Sequence, residues 1–212
     1  MTRYVIFDFD GTLADTSEGI INTVCTTLEI MGLPPQPRGQ IRATIGLPLS
    51  ETIRIGGLVP EDRVDEGVQI YRDNFFAVAT GHIKLFPGVK ETLLGLHDAG
   101  LKLAIATSRG SNSLHTILQN YGIDGIFDEV ATSSDHYEPK PSPDMVLKLL
   151  QRMGASAAEA LVVGDTTFDI LMGSRAGCRT CGVTYGNHGR TTLATASPDF
   201  IVDSFPEIRE AL

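Results

Sequence analysis

Two aspartates lie at the end of the first apolar segment of the chain, in VIFDFDGTLADT at residues 5–16. Val5, Ile6 and Phe7 favour a β-strand, on which side chains two residues apart point to the same face. Asp8 and Asp10 therefore share a face, where their negative charges repel each other. A pair of carboxylates at the end of a buried strand is costly, which indicates a chemical role rather than packing.

Further apolar segments predict buried strands at 101–107, 129–133, 160–165, 180–185 and, as a sixth, 200–204. Helical segments lie between most of these strands, and several of them end at a glycine. The segment 142–154 has Ser142 as a candidate N-cap and Pro143 as its first helical residue. This alternation predicts an α/β fold, with a parallel sheet covered by helices on both faces.

Polar residues follow the predicted strands at the edge where parallel sheets bind their ligands. Together with the first pair, these residues are Asp8, Asp10, Thr107, Ser108, Lys140, Asp165 and Asp169. Carboxylate oxygens collected at one edge suit Mg²⁺, which takes one or two carboxylates, waters and the phosphate of a substrate. The cation also removes the repulsion that would otherwise raise one carboxyl pKa. The sequence therefore predicts a magnesium site.

The same edge holds the groups that phosphoryl transfer needs. Lys140 is a point charge for a phosphate, and Thr107 or Ser108 can donate to a phosphate oxygen. An aspartate can act as a nucleophile and form an aspartyl-phosphate. A second carboxylate two residues further on can act as general acid to the leaving group, and then as general base to water.

These residues also carry a family resemblance. DFDGT at 8–12, a strand that ends in Thr107, Lys140 before a proline, and GDTTFD at 164–169 are similar, in order, to the four motifs of the haloacid dehalogenase superfamily. The resemblance covers most of the chain and implies a Rossmann-like core. IGLPLSET at 45–52 resembles cap loops of the phosphoglycolate-phosphatase branch.

The resemblance assigns roles by position. It makes Asp8 the nucleophile and Asp10 the general acid and base. It implies that Asp8, the backbone carbonyl of Asp10 and Asp165 hold Mg²⁺, while Asp169 orients the metal shell. It also implies that Thr107 binds the transferring phosphoryl group and that Lys140 holds this group against the Asp8 carboxylate. Dehalogenases of the superfamily lack the acid at the position of Asp10, so dehalogenation is set aside.

The segment after the first strand breaks the alternation of strands and helices. Ile21, Val24, Leu28 and Met31 lie on one face of a predicted helix. A second amphipathic helix is predicted in 61–81, with Val64, Val68, Tyr71, Phe75 and Val78 on its apolar face. The expected organisation is an α/β catalytic core at 1–15 and 84–212, with a helical cap at 16–83. The resemblance implies the same small cap.

Composition excludes several other classes of protein. The chain has 212 residues and a net charge of −9, without a basic cluster that would bind nucleic acid. No apolar run approaches the ~20 residues of a membrane span, and the first such run stops at Asp8. Three cysteines are too few for a disulfide framework. We therefore expect a cytoplasmic protein without nucleic-acid or membrane partners.

The favoured function is a magnesium-dependent phosphatase that hydrolyses a small phosphate monoester. The cap-loop resemblance favours a substrate like 2-phosphoglycolate. Pyrophosphatase, sugar-phosphate phosphatase and phosphomutase activities on the same fold are alternatives. DGT at 10–12 favours hydrolysis over mutase chemistry. A phosphoryl-accepting signalling or binding module is the non-enzyme alternative, but signalling receivers lack the acid at the position of Asp10 and have no cap insertion.

Overall fold

The computed structural model describes residues 2–212 and divides into two compact units. One unit comprises the chain up to Ala14 together with Leu85–Leu212, and the other comprises Asp15–Lys84. The boundaries lie one residue from those expected for the core and the cap. Among the described residues, no helix is both long enough and apolar enough to cross a membrane.

Eight strands are present in the described chain. They are β1 (Tyr4–Phe7), β2 (Ala14–Asp15), β3 (Lys84–Leu85), β4 (Lys102–Ala106), β5 (Glu129–Ala131), β6 (Ala160–Gly164), β7 (Arg179–Val183) and β8 (Phe200–Val202). The two-residue strands β2 and β3 form a separate small sheet at the points where the chain passes from one unit to the other.

The α-helices are α1 (Ser17–Ile30), α2 (Arg38–Arg42), α3 (Leu49–Glu51), α4 (Val64–Ala79), α5 (Val89–Asp98), α6 (Ser111–Tyr121), α7 (Asp144–Met153), α8 (Thr167–Arg175) and α9 (Arg190–Ala194). A π-helical turn, Thr52–Gly56, continues α3. Short 3₁₀ segments lie at Glu61–Arg63, Thr80–His82, Asp124–Ile126, Ser133–Asp135, Ala157–Glu159 and Phe205–Ala211.

The other six strands form one sheet in the order β5-β4-β1-β6-β7-β8, and each of its neighbouring pairs is parallel. From β1 the chain continues to β4 and β5 on one side, and it then crosses to β6 on the other side of β1. The connections thus diverge between β1 and β6. In sheets of this type, ligands bind beyond the carboxyl ends of the strands at such a switch point.

The sheet is buried on both faces, as its continuously apolar strands predict. Tyr4 and Ile6 of β1 belong to a core cluster that includes Val146 of α7 and Met172 of α8. On the opposite face, the ring of Phe7 lies 5.6 Å from that of Phe205 in the last 3₁₀ segment. Every residue of β1 and β6 is buried, so these two strands lie at the centre of the unit. The predicted α/β class is thereby confirmed.

Some boundaries differ from those expected. The strand predicted at 180–185 runs from Arg179 to Val183, so Thr184 and Tyr185 lie beyond it. Helix α7 begins at Asp144, with Pro143 in the N-cap position rather than as the first helical residue. Ser142 still contributes to the start of the helix, because its hydroxyl accepts a hydrogen bond from the Asp144 backbone.

The second unit is helical, and its core is formed largely by α1 and α4, which pack against each other. The predicted face of α1, together with Met31 just after it, is buried. On α4, the side chains of Val64, Tyr71 and Phe75 are buried, while Val68 and Val78 are half-buried. The 3.6-residue period therefore identified the contact faces of both helices.

Candidate active site

The first aspartate lies at the carboxyl end of the central strand. Asp8 directly follows β1, and its backbone N–H donates to the carbonyl of Val163 in β6 at 2.9 Å. Asp165 directly follows β6. The parallel pairing of β1 and β6 therefore brings these two aspartates together at the switch point, because neighbouring strands end at the same edge.

Three carboxylates form a buried cluster at this edge. One oxygen from each of Asp8, Asp165 and Asp169 lies within 4.8 Å of the other two. Their exposed fractions are 3%, 0% and 1%. Asp169 reaches the cluster from the first turn of α8, which follows β6. The side chain of Asp10 is not part of this group.

Lys140 is the cation within the cluster. Its Nζ donates to Asp8 Oδ1 at 2.5 Å and to Asp169 Oδ1 at 2.6 Å, and its side chain is fully buried. Burial by itself would lower the pKa of Lys140. The charges of Asp169 and Asp8 and the hydrogen bonds to them outweigh burial, so the pKa lies above its ordinary value. Lys140 is therefore an ammonium group held directly against the Asp8 carboxylate.

One ammonium group does not balance three carboxylates. Burial raises the pKa of Asp8 well above its ordinary value, and the charges of Asp169 and Asp165 add to that rise against the opposing effect of Lys140. Burial and the charge of Asp169 raise the pKa of Asp165 to about 7. With all three carboxylates ionised, the cluster would carry an excess of buried negative charge, which a bound cation would relieve.

Two other segments hold the Asp165 carboxylate in place. The Thr12 hydroxyl donates to Oδ1 at 3.0 Å, and Asn187 donates to Oδ2 from its backbone N–H at 2.7 Å and its side-chain amide at 2.9 Å. Gly11 adopts φ +97°, and a Cβ there would lie 2.2 Å from Asp165 Oδ2. The turn after Asp10 therefore requires glycine both for its backbone conformation and for its close approach to Asp165.

Asp169 is fixed by the start of its own helix. Thr166 is the N-cap of α8 and forms a capping box with Asp169. Asp169 Oδ2 accepts from the Thr166 backbone N–H at 3.0 Å and from the Thr166 hydroxyl at 2.6 Å. The other oxygen of this carboxylate, Oδ1, faces Lys140. A capping motif thus also orients a cluster carboxylate.

Asp10 forms an ion pair with Arg109. The guanidinium donates from Nη2 to Oδ1 at 2.5 Å and from Nε to Oδ2 at 3.0 Å, while Nη1 donates to Ser113 Oγ at 2.6 Å. The side chains of Arg109 and Asp10 are 6% and 13% exposed. Engagement of both carboxylate oxygens by one guanidinium defines the orientation of Asp10 more tightly than a single ammonium would.

The predicted phosphate-binding hydroxyls lie beyond β4. Thr107 is 1% exposed, and its hydroxyl accepts from the backbone N–H of Arg109 at 3.1 Å. Ser108 is half-buried in the same turn. The structure therefore brings Asp8, Asp165, Asp169 and Lys140 into one cluster. It places Asp10 in the segment after β1, and Thr107 and Ser108 in the segment after β4.

The chain matches the family model described as haloacid dehalogenase-like hydrolase over residues 5–183. It belongs to this family. A protein named probable phosphatase IndB, from Dickeya dadantii, is 42% identical over 98% of this chain and 92% of its own length. A phosphoglycolate phosphatase of Vibrio parahaemolyticus is 34% identical, over 99% of this chain and 96% of that protein. A pyrophosphatase, PpaX, of Halalkalibacterium halodurans is also 34% identical, over 96% and 94%.

The fold comparison agrees with the family. A solved structure of a haloacid dehalogenase-like family hydrolase from Streptococcus pneumoniae has a TM-score of 0.87 and 28% identity, and covers 99% of this chain and 98% of that one. The resemblance carried by DFDGT and GDTTFD is confirmed by these matches.

Four residues of the site were missed by sequence reasoning as contacts of the acids: Thr12, Arg109, Thr166 and Asn187. Arg109 lies two residues after Thr107, in the segment that follows β4. Its position near the end of a strand could therefore have identified it as a candidate site residue. Asn187 follows β7 in the same way. The strand expected at 180–185 ends at Val183 in the structure, so the loop that contains Asn187 begins earlier than predicted.

Proposed function

We propose that this protein is a phosphatase that hydrolyses a small phosphate monoester through an aspartyl-phosphate on Asp8. The observation that carries the proposal is the contact of the buried Asp8 carboxylate with Lys140, beside Asp165 and Asp169 at the switch point. A nucleophilic carboxylate next to an ammonium group is suited to attack an anionic phosphoryl group, because the ammonium offsets the charge of both.

The donor set fits a magnesium ion. Buried carboxylate oxygens with an unbalanced negative charge are what a hard divalent cation requires, and the cluster contains no softer sulfur or imidazole ligand. We assign its protein ligands to Asp8, the backbone carbonyl of Asp10, and Asp165, with Asp169 orienting them. When bound, Mg²⁺ would balance the excess charge of the cluster and polarise the phosphoryl group.

The remaining roles belong to residues of the chain. Thr107, Ser108 and Lys140 bind the oxygens of the transferring phosphoryl group, which the Asp8 carboxylate attacks. Asp10 gives a proton to the departing oxygen and later takes one from the water that hydrolyses the aspartyl-phosphate. Arg109 donates to both oxygens of Asp10, which fixes the orientation of the carboxylate that exchanges this proton.

We propose a substrate like 2-phosphoglycolate, with pyrophosphate as the second candidate. The cap-loop resemblance at 45–52 favours the former. Relatives named for each activity are equally identical to this chain, so the comparisons alone favour neither. Turnover of 2-phosphoglycolate, pyrophosphate, sugar phosphates and nucleotides, each with Mg²⁺ and with EDTA, separates these possibilities. Full activity in excess EDTA would contradict the magnesium assignment.

The covalent step has its own experiment. Asp10→Asn keeps the backbone carbonyl of this residue but loses proton transfer, so turnover should fall by roughly 10²–10⁴-fold. With p-nitrophenyl phosphate, whose leaving group needs no proton, this variant should release a burst of nitrophenol and accumulate phosphate on Asp8. Mass analysis of the peptide that contains Asp8 detects that phosphate.

Asp8→Asn is the control for this experiment and should give neither the burst nor the added mass. Appreciable turnover by Asp8→Asn, together with no burst from Asp10→Asn, would show that Asp8 is not the nucleophile.

For the inserted unit, Asp15–Lys84, we propose the role of the small helical cap of its family. The support is its position in the chain immediately after the first strand and its helical composition. Closure over the substrate should exclude water from the site. Small-angle scattering should therefore report a smaller radius of gyration with a phosphate analogue, and an unchanged radius would count against a gating role.

We also propose that the protein acts in the cytoplasm on a small phosphorylated metabolite. All three cysteines are unpaired, as is usual in a reducing compartment. Burial raises the pKa of the Cys178 thiol to about 11 and that of Cys181 to about 12, so CRTC at 178–181 is unsuited to redox chemistry. Cell fractionation with an antibody to the chain tests the location.

A further inference from the structure

Hydrogen bonds occupy both lone pairs of one of the two carboxylate oxygens of Asp165. Each carboxylate oxygen has two lone pairs with which to accept hydrogen bonds or to bind a metal. Asp165 Oδ2 accepts from both the backbone N–H and the side-chain amide of Asn187, while Oδ1 accepts from the Thr12 hydroxyl. Oδ2 is therefore saturated, and only Oδ1 keeps a lone pair for a cation.

Asp169 has the same pattern. Its Oδ2 accepts from the backbone N–H and the hydroxyl of Thr166, and its Oδ1 accepts from Lys140. One oxygen is again saturated, and the other keeps a single lone pair. Two of the three carboxylates in the cluster can thus offer a cation one oxygen each, and neither can bind it through both oxygens.

This limit acts differently on the two abundant divalent cations. Ca²⁺ takes 6–8 oxygen ligands and often binds a carboxylate through both oxygens, whereas Mg²⁺ takes six ligands, several of which are water. With Asp165 and Asp169 limited to one oxygen each, the cluster offers Ca²⁺ fewer of the protein ligands that it prefers. It is sufficient for Mg²⁺, which keeps its waters.

We propose that Asn187 is a selectivity residue, whose side-chain amide occupies the second oxygen of Asp165 and thereby favours Mg²⁺ over Ca²⁺. The proposal rests on the magnesium site of the proposed function. It adds that a residue which does not itself bind the ion determines which ion the site prefers. Asn187 is the residue to change, because its own backbone N–H and the Thr12 hydroxyl still hold Asp165 when the amide is removed. Thr166, by contrast, also caps α8.

The test replaces the amide with a side chain of similar shape. Asn187→Leu removes the donor and leaves little room for a water to replace it. Tyr185→Phe is the matched control, because it removes a hydrogen bond from the same loop, to the Thr12 carbonyl, but leaves every donor to Asp165 in place. Isothermal titration calorimetry of the full chain without substrate then gives Kd for Mg²⁺ and for Ca²⁺.

Wild type should bind Mg²⁺ more tightly than Ca²⁺. In Asn187→Leu the ratio of Kd for Ca²⁺ to Kd for Mg²⁺ should fall by about tenfold, the lower end of what hydrogen-bond partners of metal ligands contribute. Tyr185→Phe should keep the wild-type ratio. If Asn187→Leu does not fold, Asn187→Met removes the same donor, also leaves little room for a water, and should shift the ratio in the same direction.

An unchanged ratio in a folded Asn187 variant that still binds Mg²⁺ would overturn this inference alone. An equal shift in Tyr185→Phe would overturn it too, since the cause would then be loosening of the loop. A wild-type chain that binds neither cation would overturn both this inference and the magnesium dependence of the proposed function.

Discussion

The ion pairs of the candidate site in the core unit and those of the inserted unit differ in how far they are exposed to solvent. In the core unit, Lys140 and its partners Asp8 and Asp169 are almost completely buried and in direct contact. In the inserted unit, Glu18 pairs with Arg38, and both side chains are 50% exposed. The side chains of the Arg63–Glu66 pair of that unit are also partly exposed, at 35% and 47%.

The contrast separates charges kept for chemistry from charges that keep a surface hydrated. Exposed pairs gain little, because water solvates each partner almost as well as the pair does. Burying a charge is costly even when it is paired, so a buried cluster with excess negative charge does not stabilise the fold by itself. We therefore expect changes in the buried cluster to have large effects, and changes in the exposed pairs to have almost none.

The largest effect should come from Asp8→Asn. Loss of the nucleophile should reduce kcat by roughly 10⁴–10⁶-fold, as for nucleophiles of other covalent enzymes. The free energy of unfolding in EDTA should stay the same or rise. The cluster loses a charge that repels its neighbours, while Lys140 keeps its ion pair with Asp169. Enzyme assays and urea unfolding measure the two quantities.

The control for this change is Asp73→Asn, at an exposed aspartate on α4, which should alter neither quantity. A marked loss of stability in Asp8→Asn would mean that Asp8 is structural, and would weaken the contrast between the two units.

Lys140→Met should have the largest effect on stability. Removing the cation in contact with the cluster leaves its three carboxylates without a counter-charge, at a cost of about 3–5 kcal/mol in the free energy of unfolding. Urea unfolding in EDTA measures this loss, with Lys148→Met on the exposed side of α7 as the control. Equal stability of the two variants would show that Lys140 does not hold the cluster together.

Arg109→Met should have an intermediate effect, mainly on kcat. Losing a charged hydrogen-bond partner costs about 1.5–3 kcal/mol, which corresponds to roughly 10–100-fold in rate if Arg109 positions Asp10 for proton transfer. Arg109→Lys should recover only part of the rate, because an ammonium cannot engage both carboxylate oxygens in the same plane.

The double variant Asp10→Asn/Arg109→Met decides whether Arg109 acts through Asp10. It should be no slower than Asp10→Asn alone, since two residues that act as one unit are not additive. Fully additive losses would assign Arg109 a separate role.

A surface ion pair of the core unit tests whether the size of the effect depends on burial of the pair or on the unit in which the pair lies. Asp128 accepts from Lys102 Nζ at 2.7 Å and from the Leu103 backbone at 3.0 Å. Partial burial would raise the pKa of Asp128, but these hydrogen bonds outweigh it and lower the pKa below its ordinary value. The ionised carboxylate therefore stabilises the fold at neutral pH, and this contribution is lost as pH falls from about 5 through the lowered pKa.

Asp128→Asn should accordingly show a slightly lower melting temperature at pH 7 and a shallower decrease on acidification than wild type. Melting curves between pH 3 and 7 measure both. Parallel profiles for the two proteins would show that the pair has no effect on stability.

The smallest effect should come from the inserted unit. Glu66→Gln breaks the exposed pair with Arg63, whose hydrogen bond lowers the pKa of Glu66, yet stability at pH 7 should not change measurably. Urea unfolding at low and high salt should give the same result for variant and wild type. A clear loss of stability would mean that exposed pairs matter more in this unit than the comparison implies.

Much of the fold was predictable because local patterns and tertiary packing agree. The apolar runs around Val5 and Val162 are continuous because the sheet is covered on both faces, and the face of α1 that contains Val24 repeats with the helical period. Element ends were less predictable. Val183 ends β7 although TY at 184–185 has strand-forming side chains, because β8 itself ends at Val202, the residue paired with Val183.

The candidate site was predictable in its acids and not in the groups that hold them. Asp8 and Asp165 follow buried strands, so the edge of a parallel sheet was bound to bring them together. Arg109 and Asn187 also follow strands, but their residue types are common in solvated loops. Only contacts with Asp10 and Asp165 distinguish them, and a contact between residues about 100 or 22 positions apart has no local signature.

By itself, the sequence determined the alternation of strands and helices, the helical insertion after the first strand, and the acids, lysine and hydroxyls that end the strands. These follow from side-chain periodicity and from burial, which act over a few residues. The tertiary structure alone decided which carboxylate oxygen accepts from which donor, and that Lys140 lies between Asp8 and Asp169. Those pairings depend on the strand order of the sheet, because it places segments distant in the chain side by side.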